Sequence, residues 1–339
     1  MPRNLKSTSI QQNPLLVSII IPNYNKCSFI AETLESVLNQ SYSNWEAVVI
    51  DDGSTDNSVY IIKSFVNRDS RIRFYARDRL PKCGSVCRNI GIDKSIGDYI
   101  IFLDSDDLLQ PFSLMQRIEF MSRYPMLDFA VFTTGTFYKT IGDSKNYWIP
   151  SKKNHLNKFL SHNLQWNIMA PIWRRNFLIH INGFDEQFPR LQDVELHTSA
   201  LLQNDVKYKI AYQYPADCYY RIAVERTQQS YFEALMKMKS GIVLFTSKFE
   251  KLVKTIRQKK TLRGTLFTFL TQVNYYRAMQ LITIGEYESI LKDLNRYVIQ
   301  SKLFRNYSKI FLKFYCFLYQ KGAWKVKGFN YYFKHLFDL

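Results

Sequence analysis

No stretch of this chain reaches the roughly 18 uncharged apolar residues that a membrane span requires. The run Leu15 to Ile21 is far shorter and has no small-residue cleavage site behind it, so neither a transmembrane helix nor a secretory leader is expected. Cysteine is scarce: Cys27, Cys83, Cys87, Cys218 and Cys316 are odd in number and scattered. That set excludes a disulfide scaffold and fits reduced thiols in a cytoplasmic compartment. Cys83 and Cys87 lack the further ligands a shared metal would need. Internal repeats are absent, and no nucleic-acid-binding motif accompanies the basic charge.

What remains is a globular composition. At 339 residues and 46% hydrophobic content the chain suits one large domain with an appendage, or two domains. Its net charge of +17 is unevenly spread. Residues 1–225 hold 25 Lys/Arg against 23 Asp/Glu, whereas residues 226–339 hold 21 against 6. Such asymmetry points to an acidic partner for the last third, either an anionic membrane surface or nucleic acid.

Residues 1–14 are polar and aperiodic and read as a disordered lead. From Leu15 the pattern alternates. Leu15 to Ile21 forms a buried strand stopped by Pro22, Phe29 to Leu38 follows helical spacing, and Trp45 to Ile50 makes a second strand. Helical Val59 to Phe65, extended Ile72 to Tyr75, helical Val86 to Lys94 and a strand at Tyr99 to Leu103 continue it. Short polar joints between such elements predict a mainly parallel sheet in an α/β sandwich. Farther on, Asp128 to Tyr138 and Ile168 to Trp173 read as strands and Gln192 to Gln203 as a helix, with a boundary between 222 and 235.

Three successive strands end in polar turns: Pro22-Asn-Tyr-Asn25, Asp51-Asp-Gly-Ser-Thr-Asp56 and Asp104-Ser-Asp-Asp107. In a parallel sheet these ends line one crevice, which is where open α/β sheets bind ligands. The crevice suits a nucleotide diphosphate: Tyr24 can stack on a base, Asp52 can accept from a base N–H, and metal-bound carboxylates can hold the pyrophosphate. Each turn also has a plain structural reading: Asp52-Gly53 as a turn dipeptide, Asn25 as a helix cap, and the aspartates as an acidic start to the next helix.

The motifs Ile19-Ile-Ile-Pro-Asn-Tyr-Asn25, Val49-Ile-Asp-Asp-Gly-Ser-Thr-Asp56, Arg88-Asn-Ile-Gly91 and Gly97-Asp-Tyr-Ile-Ile-Phe-Leu-Asp-Ser-Asp-Asp107 stand in order. Together they resemble the family 2 inverting glycosyltransferases of GT-A fold, over about residues 15–225. The resemblance implies a UDP- or GDP-sugar donor, Mg²⁺ or Mn²⁺, and a glycan or lipid-linked acceptor in cell-surface polysaccharide synthesis. It implies Asp106 as metal ligand, Asp104 on the ribose side, Asp52 reading the base, and Pro22, Tyr24 and Arg88 completing the donor site. It implies a catalytic base at Asp193, because Gly183-Phe-Asp-Glu186 is followed by Leu191-Gln-Asp-Val-Glu-Leu196. Gln192 stands where the family carries Glu; losing that charge tends to lower the proton affinity of Asp193. Glu195 is a rival base, His197 lies one helical turn beyond Asp193 and reads as solvated, and Arg221 in Tyr219-Tyr-Arg221 is a further candidate.

Residues 226–339 read as a basic, aromatic-rich helical region. Lys302, Arg305, Lys309 and Lys313 share one helix face and Phe304, Tyr307, Phe311, Phe314 and Leu318 another. This pattern suits docking to the cytoplasmic leaflet, and equally a helical domain with its own core. Two rival functions stay open: a nucleotidyltransferase, which would carry a Gly-rich basic loop after the first strand, and a non-catalytic docking protein.

Overall fold

The computed structural model describes residues 14–222, 231–304 and 306–336. The disordered lead read into 1–14 and the boundary placed after 222 therefore fall almost wholly outside the described residues. The chain opens with β1 (Val17–Asn23), α1 (Ile30–Leu38), β2 (Trp45–Asp51), α2 (Ser58–Arg68), β3 (Ile72–Ala76), α3 (Gly84–Lys94) and β4 (Tyr99–Phe102). Strands β3-β2-β1-β4 lie side by side and all parallel, as the alternation predicted. Every residue of β2 is buried, which explains the apolar run Ala47 to Ile50 at its centre.

Next come β5 (Leu108–Leu109), α4 (Ser113–Arg123), β6 (Phe129–Val131), β7 (Thr134–Phe137), β8 (Tyr147–Trp148), α5 (His155–Leu160), β9 (Pro171–Arg174), α6 (Arg175–His180), α7 (Gln192–Leu201), β10 (Tyr208–Ile210) and β11 (Cys218–Arg221). The main sheet has the order β10-β6-β9-β4-β1-β2-β3, with β9 antiparallel to both neighbours. A second sheet, β5-β11-β7-β8, stands beside it. The single strand read at Asp128 to Tyr138 is thus two strands in two sheets. The first ends where Phe132 N–H donates to the Ala170 carbonyl at 3.0 Å, and Thr134 starts the second sheet.

Pro22 does not stop β1; it pairs with Ile50 inside the strand. Along a parallel strand, alternate residues aim their backbone groups at opposite neighbours. Ile20 O accepts from Leu103 N on the β4 side, and Asn23 O from Asp52 N on the β2 side. Pro22, two residues after Ile20, faces the side from which β4 has already turned away, so its missing N–H leaves no ladder bond broken.

Helices α8 (Tyr231–Phe249), α9 (Ile256–Ala278), α10 (Ile284–Gln300), α11 (Asn306–Gln320) and α12 (Phe329–Leu336) follow. Capping boxes at Thr255 and Thr283 start α9 and α10. These helices share a continuous core with the sheet: Phe245, Phe249, Leu262 and Leu266 belong to the same apolar cluster as Trp166 and Phe188. Thr265 Oγ1 donates to Leu160 O at 2.5 Å. The buried face of α11 is Leu312, Tyr315 and Tyr319. Phe314, predicted to share an inward apolar face, is instead exposed, because α9 and α12 cover the adjacent stripe. Arg305 and the side chains of Tyr307, Lys309 and Phe311 lie outside the described residues.

Arg117 on α4 and Asp217 before β11 form a fully buried pair, both side chains 0% exposed, joined at 2.8 and 2.7 Å. Arg117 also donates to Met169 O at 2.9 Å, which ties both sheets to the loop before β9. Removing one partner leaves an uncompensated interior charge. Asp217→Ala is expected to lower unfolding free energy by about 3–5 kcal/mol, read from urea denaturation midpoints.

Candidate active site

The three polar strand ends meet at one edge of the sheet, held by side chains that belong to other elements. Asp51 serves the turn itself: its carboxylate accepts from Gly53 N, Ser54 N and Ser54 Oγ at 3.0, 2.9 and 2.6 Å, and from Asn23 Nδ2 at 2.8 Å. Asp52, itself buried, takes Arg77 Nε at 2.5 Å. Asn25 is not a helix cap. It adopts a left-handed backbone, φ 50°, and its Oδ1 accepts from Thr55 N at 2.8 Å, stitching the first turn to the second. Tyr24 stands exposed with Lys82 Nζ 3.5 Å from its ring centre. Cys87 is sealed beneath with Val48 and Ile90, where burial and the nearby Asp52 push its thiol up to about 12.

The aspartate turn is divided among three cations. Arg88 Nη2 donates to Asp104 at 2.6 Å, Lys26 pairs with Asp106, and Arg221 binds from below. Arg221 N–H reaches Asp107 Oδ1 at 2.7 Å, its Nε reaches Asp106 O at 2.7 Å, and its Nη2 reaches Glu32 at 2.6 Å. Asp107 is no helix cap, since β5 follows it and α4 begins only at Ser113. Burial, reinforced by the charges of Asp104 and Asp106, holds its carboxyl well above the usual range.

Arg88 reaches the edge because α3 lies directly on β1. A Cβ on Gly91 would stand 2.3 Å from Ile20 Cγ2, so only glycine permits that approach. The neighbouring Asn89 clasps the Gly183–Glu186 stretch. It accepts from Phe184 N at 2.9 Å and donates to Phe184 O and Glu186 at 2.9 Å each. That clasp sets the entry to α7, where Arg88 Nη1 also meets Gln192 Oε1 at 3.2 Å. Asp193 follows, in the first turn of α7, and shares a cavity of about 220 Å³ with Asp104, Asp107, Trp148, Asn167 and Tyr220. Burial raises its proton affinity, opposed by the Val194 N–H and by Arg88. Loss of a carboxylate at Gln192 therefore does not decide the direction; desolvation does.

The remaining sequence candidates separate. Glu195 is buried and committed to Lys248 at 2.7 Å and Ser199 at 2.7 Å, facing away from this cavity. His197 is not solvated. It is fully buried, stacked on Trp173 at 5.8 Å and bordered by Phe159 and Trp166, and neither ring nitrogen has a hydrogen-bond partner among the described residues. Trp166 and Trp173 are core, whereas Trp148 lines the cavity. Lys26, Arg77, Asn89, Asn167 and Asp107 carry site contacts that the motif reading did not assign.

The aspartate edge offers hard carboxylate oxygens of the kind Mg²⁺ and Mn²⁺ prefer. Among the described residues no three His, Cys, Asp or Glu side chains converge into a closed metal shell. Asp106, partly exposed with Lys26 as its side-chain partner, fits an ion whose other ligands come from a bound diphosphate.

Comparison with known proteins gives a consistent answer. The model for "Glycosyl transferase family 2" matches residues 18–186. An uncharacterized glycosyltransferase of Haemophilus influenzae is 32% identical over 243 residues, 70% of this chain and 90% of that protein. A putative teichuronic acid biosynthesis glycosyltransferase, TuaG of Bacillus subtilis, is 38% identical over 106 residues; the alignment spans 31% of this chain and 42% of TuaG. The crystal structure of S. aureus TarS 1–349 in complex with UDP-GlcNAc superposes with a TM-score of 0.66 at 16% identity, covering 90% of this chain and 88% of that one. The likeness to TarS includes the helical C-terminal region and establishes the fold.

Burial pushes His197 down to about 3 and His162 to about 4. Both stay neutral in the fold, while in the unfolded chain each takes a proton near pH 6.5. Stability is therefore complete above about pH 7 and declines as pH falls, by about 1.4 kcal/mol per unit for each group below 6.5. His197→Phe is expected to keep the fold and to remove about 2 kcal/mol of the loss between pH 7 and 5, measured by urea unfolding at the two pH values.

Proposed function

Because the chain belongs to glycosyl transferase family 2, we propose that it is an inverting, metal-assisted enzyme that uses a UDP- or GDP-sugar to extend a cell-surface glycan or lipid-linked acceptor. The observation that carries this reading is the cavity in which Asp193 and Asp104 stand together, bridged through Arg88 and Gln192. The likeness to TuaG, a putative teichuronic acid biosynthesis glycosyltransferase, and to the UDP-GlcNAc complex of TarS supports a cell-wall polymer and a UDP-sugar as the first classes to test. Family membership sets aside both the nucleotidyltransferase and the non-catalytic docking protein.

Asp193 acts as the base. Its carboxylate takes the proton of the acceptor hydroxyl as that oxygen attacks the anomeric carbon and the nucleoside diphosphate departs from the opposite side. A desolvated carboxylate with raised proton affinity is better suited to this than a solvated one. Asp52 reads the base, Tyr24 stacks, and Arg88 and Lys26 offer charge to the departing diphosphate. Asp106 would hold Mg²⁺ or Mn²⁺, which supplies Lewis-acid neutralisation of the leaving group.

The C-terminal helices add a membrane contact to this reading. Ile310, Phe314 and Phe317 on α11 are 70%, 49% and 56% exposed and fall on one stripe, beside exposed Lys313 and Lys321. No helix among the described residues is long and apolar enough to cross a membrane. A basic surface with apolar side chains in its centre suits an anionic leaflet, each cation near it contributing about 1 kcal/mol.

Thermal shift with Mn²⁺ and a panel of UDP- and GDP-sugars is expected to select one donor; no shift with any of them would sink the donor assignment. Asp193→Asn should cut transfer by about 10²–10⁴-fold while donor affinity, read by calorimetry, stays at the wild-type value. Phe314→Asp with Phe317→Asp should abolish co-sedimentation with vesicles containing phosphatidylglycerol and leave donor hydrolysis intact. Equal sedimentation of wild type with neutral and anionic vesicles would argue against leaflet docking.

A further inference from the structure

Two polar side chains lining the Asp193 cavity are buried and, among the described residues, each keeps one atom without a partner. Asp107 is 1% exposed; its Oδ1 accepts from Arg221 N–H at 2.7 Å and its Oδ2 has no partner. Asn167 is 6% exposed; its Oδ1 accepts from Ala170 N–H and Thr134 Oγ1, both at 3.1 Å, and its Nδ2 has no partner. The Ala170 N–H can only donate, so it fixes which end of the Asn167 amide is oxygen and leaves the NH₂ for the cavity. Burial disfavours the charged form of Asp107, whereas a ligand O–H that donates to Oδ2 favours it; to such a ligand the pair offers one acceptor and one donor across a space of about 220 Å³.

The combination narrows the ligand. A cation would meet the Asp107 oxygen and leave the Asn167 donor unmatched. A phosphate offers only acceptors and would set its charge against the Asp104 and Asp193 carboxylates that line the same cavity. A hydroxyl donates and accepts at the same oxygen and satisfies both. Trp148 lines the same cavity with its indole N–H already held by Leu164 O at 3.2 Å, so its ring is fixed as an apolar wall.

We propose that Asp107 and Asn167 form a hydroxyl-reading pair for a pyranose ring held against Trp148. The inference rests on the transferase reading for the origin of that ring, which is either the donor sugar or the acceptor sugar. Leaving one of these groups unmatched should weaken binding by roughly five- to 150-fold.

Asp107→Asn keeps the acceptor for Arg221 N–H and turns the pair into two donors. Asn167→Asp keeps the acceptor for Ala170 N–H and turns it into two acceptors. The reciprocal double variant restores one of each with net charge unchanged. Calorimetry with UDP, GDP, UDP-glucose, UDP-N-acetylglucosamine, UDP-galactose and GDP-mannose reads the donor arm. Saturation-transfer NMR with free glucose, galactose and N-acetylglucosamine on the UDP-loaded protein reads the acceptor arm. Loss in both single variants of the affinity that the sugar adds over its bare nucleotide, recovered in the double variant, assigns the pair to the donor sugar. Unchanged nucleotide-sugar affinity with loss and recovery of the monosaccharide signal assigns it to the acceptor. Wild-type values in both single variants on both arms overturn the proposal, as does a double variant that binds no better than the weaker single. Should a single variant fail to fold, monodeoxy sugars titrated into wild type read the same pair, and equal binding by all of them overturns it. Wild type that binds no nucleotide but shows a monosaccharide signal sensitive to the swap would refute the transferase reading and retain this site.

Discussion

The Arg88 guanidinium is the constraint around which the site is organised. It meets Asp104 at the end of β4 and Gln192 at the start of α7, elements separated by some ninety residues of chain. A planar fork serves two acceptors at once in a way an ammonium does not. Its position in turn depends on Gly91, which allows α3 to lie against β1, and on Asn89, which clasps the loop leading into α7. The start of α7, and with it Asp193, is therefore placed by side chains of α3. Where the family carries a second carboxylate, Gln192 offers Arg88 a neutral oxygen, so the cation keeps more of its charge for the cavity.

The aspartate turn shows how three adjacent carboxylates are kept in one place. Asp104 and Asp106 each take a cation, and Asp107 is withdrawn into the interior beneath them, held by a backbone N–H. Repulsion and burial together disfavour its charged form. The turn thus presents Asp104 and Asp107 to the cavity that Asp193 lines and leaves Asp106 partly exposed. Lys26 beside Asp106 keeps a positive group where a diphosphate would arrive.

The helical third is part of the same core. Lys248 on α8 bridges Asp185 and Glu195, which braces the loop and helix that carry Asp193. That bridge holds Glu195 buried, outside the lining of the cavity that Asp193 shares. On the outer surface, α11 retains exposed aromatics among lysines, a composition that its own packing does not use.

By itself the sequence determined the parallel sheet, the three polar strand ends and the position of Asp193. Buried parallel strands demand unbroken apolar runs, and polar residues at their ends must then share an edge. Only the tertiary structure decided which partner each charge takes. Lys26 and Asp106 are eighty residues apart in the chain, and the order of strands alone makes them neighbours. Likewise the spacing of Trp148, Trp166 and Trp173 carries no sign of which one faces a cavity, and the helical periodicity of His197 and Phe314 names a face without saying what covers it. Local pattern fixes direction along an element; burial depends on the elements that pack against it, and those come from distant parts of the chain.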